Sequence, residues 1–454
     1  MRRMLRRLPR YCQIRRNFEG AGHLIEVYVS MTMEILHNGH LKVLKEAKRH
    51  GRVTVGLLTD AALENKKALP LLSFEQRREI LESLDCVDAV IAQDTWGFDA
   101  ILEQYKPNVF VHGDKWDGPL QGMRDRVIEQ LKSYGGQFVE LPYSHEFDTG
   151  SIAPQMTAAL ASPYARQKAF RRLLESQRLV RILEAHSPLA ALIGENMQVE
   201  RDGKILQFDG FWSSSLTDST EMGLPDIEAL DVSRRLQNID EIYEVTTKPL
   251  VMDADTGGKP EHFELRTRTM ERMGIAAAII EDKTGLKKNS LLGTDVPQTQ
   301  ADVSEFCEKI QAGIEGQKYN GLMVIARLES LILGKGVDDA LMRADAYVGA
   351  GAGAVMIHSK EKEPDEVFAF TDQFRKTHPD VPIVVVPSSY NRVKDHELQE
   401  HGVKVIIYAN HMLRASYKAM EKVAQAILAN GRTAEIEDDI ISIKQILKLI
   451  PGTT

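Results

Sequence analysis

Residues 276–290 read Ala-Ala-Ala-Ile-Ile-Glu-Asp-Lys-Thr-Gly-Leu-Lys-Lys-Asn-Ser. The segment Ala276–Glu281 has the apolar run of a strand, and an acid closes it. A glycine, three lysines and an asparagine follow at once. That is the composition of a mobile lid that closes positive charge over an anion and excludes water. The same pattern recurs to either side. Gln207–Trp212 runs into Ser213–Ser215, and Pro249–Asp253 ends on Asp253 and Asp255. Leu322–Arg327 ends on Arg327, and Ala354–His358 on His358 and Ser359. Ile383–Val386 and Val403–Tyr408 are further strand candidates, with helical segments between most of them. From near Arg178 onward, seven or eight such units in roughly 270 residues match a closed (β/α)8 barrel. In that fold the carboxyl ends of the strands face one mouth, so these polar residues are expected to share a cavity.

The residue types suit one kind of chemistry. Asp253 and Asp255 lie two apart on what reads as extended chain, so their side chains share a side. With Glu281 they make a hard oxygen site suited to Mg²⁺. Arg327 can grip a carboxylate or phosphate through two parallel hydrogen bonds. The expected ligand is a small anion with a metal-binding end and an arginine-binding end.

The first part of the chain alternates in the same way. Strand candidates are Ile25–Val29, Val53–Leu58, Val87–Ile91, Asn108–Val111 and Phe138–Leu141. Helical segments are Leu41–Arg49, Phe74–Leu84, Phe98–Tyr105 and Arg124–Tyr134. This predicts a parallel, Rossmann-like sheet over residues 25–152. His37-Asn-Gly-His40 follows the first strand and opens the first helix. Gly39 permits close approach of a ligand, and the helix N-terminus offers free N–H groups to phosphate. The two imidazoles can stabilise charge developing on a nucleotide phosphate. Residues 153–177 read as a linker that turns helical, and residues 178–454 as the barrel. The overall class is therefore α/β.

Composition sets bounds on this reading. The chain has 454 residues, 43% of them hydrophobic and 27% charged, with a net charge of −8. That is globular and mildly acidic, which argues against nucleic-acid binding as the main business. No apolar run is long enough for a membrane helix. Three cysteines (Cys12, Cys86, Cys307) are too few for a disulfide framework or a zinc site, and point to a reduced, cytoplasmic setting. The first 16 residues hold seven arginines and no acid. Residues 1–24 are read as a basic extension, with a mitochondrial transit segment as the alternative.

The second half resembles the phosphoenolpyruvate mutase family of the isocitrate lyase superfamily. The matching pieces are Glu184-Ala-His186, Gly210–Leu216, Met222-Gly-Leu-Pro-Asp226, Asp253–Gly257, Glu281–Ser290, Ala326-Arg327 with Glu329, His358-Ser-Lys360 and Ala409-Asn-His411. The resemblance implies interconversion of phosphoenolpyruvate and phosphonopyruvate, in a homotetramer. It implies Asp226 as the nucleophile that carries the phosphoryl group, and Asp253 as the Mg²⁺ ligand, with Asp255 and Glu281 acting through its waters. Ser214, Ser215 and Leu216 are then expected at the substrate carboxylate. Arg327, His358 and Asn289 belong at the phosphoryl group, and Lys287 and Ser290 in the lid. The carbon–carbon lyases of the superfamily share a Lys-Lys-Cys-Gly-His segment, where this chain has Glu-Asp-Lys-Thr-Gly. Phosphonopyruvate hydrolase is the nearer alternative, and Lys287, Asn289 and Ser290 favour the mutase. The piece Glu195–Gln207 is longer than the usual connection.

The first domain resembles nucleotidyltransferases of the glycerol-3-phosphate cytidylyltransferase type. The matching pieces are Val27-Tyr-Val with Thr32, His37 and His40, Gly56–Asp60, Lys67, Phe74-Glu-Gln-Arg77, and His112-Gly-Asp114 with Trp116. His37 and His40 are then expected on a triphosphate, with Thr32 beside them. Lys67 and Arg77 are expected on phosphates, and Asp114 near the base or acceptor. Glu34 stands where the family has Asp, and Phe147–Ile152 replaces an Ile-Ser-Thr-Thr helix start. The implied partners are CTP and a phosphonate such as 2-aminoethyl- or 2-hydroxyethylphosphonate. A non-catalytic nucleotide-binding module is the alternative.

Overall fold

The computed structural model describes residues 25–33, 36–63, 70, 72–114, 116, 121–141, 160–176, 178–201 and 204–450. The basic extension, Glu34, Lys67 and Phe147–Ile152 fall outside them. The chain divides into two compact units, on either side of Met156.

In the first unit, β1 (Glu26–Met31), β2 (Arg52–Leu58), β3 (Ala89–Gln93), β4 (Val109–Gly113) and β5 (Gln137–Leu141) form one sheet in the order β3-β2-β1-β4-β5. All pairs are parallel, with Val27 opposite Val53 and Val109. Alternation along β1 sends Val27, Val29 and Met31 into one apolar cluster and Tyr28 into another. Both faces of the sheet are therefore covered, as a parallel sheet requires. The Tyr28 hydroxyl donates to Gln93 Oε1 at 2.9 Å, and a Cβ on Gly56 would sit 1.6 Å from that hydroxyl. Only glycine fits there. The strand order reverses between β1 and β4, so a ligand crevice is expected outside their carboxyl ends.

The second unit is a closed barrel of eight parallel strands: β6 (Val180–Glu184), β9 (Gly210–Ser213), β10 (Leu250–Asp253), β11 (Ala277–Glu281), β14 (Met323–Leu328), β15 (Ala354–Ile357), β16 (Ile383–Val385) and β17 (Val405–Tyr408). The hairpin strands β7 (Gln198–Arg201) and β8 (Lys204–Gln207) follow β6, and the short pair β12 (Lys283–Thr284) and β13 (Thr299–Gln300) follows β11. Strand β17 pairs with β6, and β6 with β9, which closes the ring. Residues of the outer helices, among them Phe263, Phe306, Phe370 and Phe374, are fully buried against the strands. Burying each such ring stabilises by about 2–3 kcal/mol.

Two expectations change. The first barrel strand is Val180–Glu184, so every strand read from the sequence moves up one place. Gln207–Trp212 is also not one strand. Gln207 closes the hairpin, and the chain turns at Asp209, whose carboxylate pairs with Arg178 at 2.6 Å and accepts from Arg181 N at 2.9 Å. The long connection Glu195–Gln207 becomes an exposed hairpin that leaves β9 undisturbed.

The helix Pro163–Glu175 starts at a Ser162 cap and lies against the barrel. Its Arg166 sits 3.8 Å from the Tyr243 ring centroid, and Gln167 Nε2 donates to the carbonyl oxygens of Glu271 and Ile275. The helix after the eighth strand, His411–Asn430, has no buried residue. Tyr417, Met420 and Leu428 are exposed along it. No helix among the described residues is long and apolar enough to cross a membrane.

Candidate active site

A pocket opens at the barrel mouth. Ser214, Ser215, Leu216, Asp226, Asp253, Glu281, Lys287, Asn289, Ser290, Arg327 and His358 all line it. Every barrel residue expected at the site is there except Asp255, which lies beside it.

The floor is an acidic group held by a buried arginine. Ser215 Oγ donates to Asp253 Oδ2 at 2.9 Å, and the main-chain N–H of Asp255 donates to Asp253 Oδ1 at 3.1 Å. Asp255 has φ +56, a left-handed conformation that aspartate tolerates. The two carboxylates are thus gathered by a turn and not by strand alternation. Arg235, fully buried, donates to Asp218 Oδ2 at 3.0 Å, to the Asp253 carbonyl at 2.5 Å and to Asp255 Oδ2 at 3.2 Å. Burial pushes the Asp253 carboxyl up, but Lys287, Arg327 and Arg235 outweigh it and pull it down to about 2. Asp253 is therefore anionic. Burial lifts Glu281 to about 7 against the pull of Arg327 and Lys287.

Both carboxylate oxygens of Glu281 are buried without a hydrogen-bond partner. Lys283 Nζ and Arg327 come no nearer than 3.4 and 3.5 Å. An anionic Asp253 beside two orphaned carboxylate oxygens is a donor set that fits a hard divalent cation with bound water. Among the described residues no three carboxylate, imidazole or thiolate groups converge tightly enough to enclose an ion by themselves. The Asp255 carboxylate is turned to Arg235 and Lys287.

The lid crosses above. Lys287 Nζ donates to Asp226 Oδ1 at 3.0 Å, to Ser215 Oγ and to Asp255 Oδ1, so all three ammonium protons are used. Burial opposes its charge, but Asp253, Asp255 and Glu281 hold its pKa above the usual range. Asn289 Nδ2 donates to Asp226 Oδ2 at 2.9 Å. Asp226 sits on the loop before the Val232–Tyr243 helix, whose cap is Asp231. Glu228 pins that loop by accepting from Thr256 N at 3.1 Å and Thr256 Oγ1 at 2.7 Å.

The far wall is a saturated network. Ser290 Oγ donates to Glu329 Oε2 at 2.5 Å and accepts from Arg327 at 2.6 Å and Lys283 Nζ at 2.9 Å. A hydroxyl has one donor and two acceptor sites, so Ser290 is fully subscribed within the protein. Arg327 also donates to Glu329 Oε1 at 2.6 Å and to His358 Nδ1 at 3.0 Å. Burial, then Arg327, lower the His358 pKa, so the ring is neutral with its proton on Nε2. Burial opposes the charge of Glu329, but Arg327, and after it Lys283, hold its carboxyl well below the usual range.

Sequence reasoning assigned no role to Arg235, Lys283 or Glu329. Arg235 had a signal: it occupies the apolar face of its helix, four residues before Ile239, where a charge needs partners.

In the first unit, His37 caps the helix Asn38–His50 by accepting from Gly39 N at 3.1 Å through Nδ1. Its ring lies 3.8 Å from that of His40, centroid to centroid. Burial lowers the His37 pKa. Thr32 follows β1, and Asp114 follows β4, where its N–H donates to the Leu141 carbonyl at 3.0 Å. Thr32, His37, His40 and Asp114 therefore stand at the reversal point of the sheet. Burial also lowers the pKa of His112, whose ring lies tilted against Trp116, 4.1 Å between centroids. Arg77 is fully buried and donates to the carbonyls of Thr32 at 2.6 Å and Leu58 at 2.9 Å, and to Asp60 Oδ1 at 2.7 Å. Its guanidinium ties the end of β2 to the residue after β1.

Residues 170–428, more than half of the chain, match the family model of phosphoenolpyruvate phosphomutase. The chain belongs to the phosphoenolpyruvate phosphomutase family. It is 34% identical over 280 residues to the phosphoenolpyruvate phosphomutase of Tetrahymena pyriformis, covering 62% of this chain and 89% of that protein. The crystal structure of the phosphomutase from Streptomyces platensis subsp. rosaceus superposes with TM-score 0.56 at 40% identity, over 62% of this chain and 93% of its own. A phosphonopyruvate hydrolase solved with oxalate and Mg²⁺ superposes with TM-score 0.55 at 33% identity, over 63% and 94%. The chain is thus similar both to phosphomutases and to that hydrolase. Residues 32–140 match the cytidylyltransferase-like family model.

Proposed function

We propose that the barrel interconverts phosphoenolpyruvate and phosphonopyruvate through Asp226. The observation that carries this is the double grip of the lid on the Asp226 carboxylate, by Lys287 on one oxygen and Asn289 on the other. A carboxylate so held is oriented for attack and shielded from water, which suits transfer back to pyruvate better than release of phosphate.

From phosphonopyruvate, an Asp226 oxygen attacks phosphorus as the carbon–phosphorus bond breaks and its electron pair passes into pyruvate enolate. The enolate oxygen then attacks the aspartyl phosphate, and the Asp226 carboxylate departs. Lys287 releases its hold on the attacking oxygen as the new bond forms. Arg327 and neutral His358 receive the phosphoryl oxygens, and the N–H groups near Ser215 and Leu216 receive the substrate carboxylate. Asp253 would hold Mg²⁺, and Asp255 and Glu281 would support it as the neighbouring carboxylates. When bound, such an ion would supply positive charge for the substrate's carboxylate end. Rapid quenching with phosphonopyruvate is expected to yield a peptide phosphorylated on Asp226. Turnover at full rate with Asp226→Ala contradicts the proposal.

The N-terminal unit, in this reading, transfers CMP from CTP to a phosphonate, with His37 and His40 at the triphosphate. Lys67 retains its expected role at phosphate, and Thr32 and Asp114 line the crevice. Pyrophosphate release from CTP with 2-aminoethyl- or 2-hydroxyethylphosphonate is the test. CTP binding without pyrophosphate release, whatever phosphonate is offered, points to a binding module. The apolar residues left open on His411–Asn430 support self-association, and light scattering is expected to give the mass of a homotetramer.

A further inference from the structure

The lid Gly285–Gln298 stands on a narrow stem. Lys283–Thr284 pairs antiparallel with Thr299–Gln300, and Gln300 Nε2 donates to Asp282 Oδ2 at 2.8 Å. Inside that stem lies Lys283, 3% exposed. Its ammonium donates to the Lys288 carbonyl at 2.8 Å, to Ser290 Oγ at 2.9 Å and to Gln298 Oε1 at 3.0 Å. These three acceptors lie at both ends of the lid. Glu281 and Glu329 flank the same ammonium at 3.4 and 3.5 Å, which offsets the cost of burying it. Lys283 touches no group assigned to substrate. It reaches the site through others: Lys288 precedes Asn289, and Ser290 bridges Arg327 and Glu329.

We propose that Lys283 is the positioning residue that fastens the lid over the barrel mouth, setting Lys287 and Asn289 on Asp226. This rests on the phosphoryl-transfer reading for its effect on turnover, but not for its effect on the lid. An ammonium suits the task because its three donors diverge, and a planar guanidinium cannot reach the same three acceptors. Gln298 completes the clasp: its Nε2 donates to the Gly293 carbonyl at 2.7 Å, inside the lid.

The test is trypsin cleavage at Lys287 and Lys288, followed by mass spectrometry on the full chain, beside steady-state kinetics with phosphonopyruvate. In the parent protein Lys287 is buried, so cleavage there is expected to be slow. Lys283→Met is expected to speed cleavage at these two sites at least tenfold, and to lower kcat at least tenfold with KM changed less than threefold. Lys283→Arg is expected not to restore either. Gln298→Ala removes one acceptor without touching a charge, so it keeps the test open if Lys283→Met fails to fold. It is expected to speed the same cleavage about threefold. Parent-like cleavage in a folded Lys283→Met protein, or in Gln298→Ala when the first does not fold, overturns the proposal. Faster lid cleavage in a protein whose parent turns nothing over supports the fastening and sinks only the reaction assigned to the barrel.

Discussion

Ser290 Oγ donates a hydrogen bond to Glu329 Oε2 at 2.5 Å, while Arg327 donates to the other oxygen of the same carboxylate at 2.6 Å. A lid residue and a strand-end arginine are thus fixed by one buried acid. Glu329→Gln keeps the shape but weakens two charge-assisted bonds. Each is worth about 1.5–3 kcal/mol, so kcat is expected to fall roughly 10–100-fold. Steady-state kinetics at fixed Mg²⁺ check it, and an unchanged kcat removes Glu329 from the machinery.

Asp226→Ala is expected to abolish isomerisation and leave nucleotidyl transfer intact, since the two sites lie in separate units. Both activities are measured on one preparation. Loss of both in a folded variant contradicts independent sites.

Arg77→Met leaves two strand-end carbonyls and Asp60 without their buried donor. Breaking such a cluster costs about 3–5 kcal/mol. Calorimetry is expected to show the N-terminal unit melting earlier, with KM for CTP little changed in the protein that remains folded. A raised KM with unaltered melting returns Arg77 to the phosphates.

His358 supplies the pH dependence. Burial and Arg327 lower its pKa from the ordinary 6.5, so the folded state takes up its proton later than the unfolded chain does. The unfolded state then binds more protons below that value, and stability falls as pH drops. Against His358→Asn, the parent is expected to lose its relative melting temperature between pH 7 and pH 5. A constant difference across that range contradicts the assignment of a neutral ring.

Much of this was legible in the residues themselves. Apolar runs that end on Asp253, Glu281, Arg327 and His358 announce barrel strands, because only strand ends at a shared mouth need such groups. β6 was harder to read, since Arg181 interrupts its run and its acid, Glu184, turns away to accept from Met412 N and Leu413 N. Asp255 misled for a backbone reason: its left-handed turn is invisible to a two-residue spacing rule. At Arg77 the sequence is silent on partners: an arginine beside a phosphate and one beside carbonyls look alike, and only the folded chain shows the carbonyls of Thr32 and Leu58. Lys283 lies among lysines whose composition says lid, while its position in the stem is a property of chain pairing.

Phosphorus NMR of phosphonopyruvate mixed with the protein and Mg²⁺ tests the central claim most directly. The resonance of phosphoenolpyruvate is expected to grow at the expense of the phosphonate, with no inorganic phosphate. Pyruvate and inorganic phosphate as the sole products contradict a barrel whose lid returns the phosphoryl group from Asp226 to the enolate.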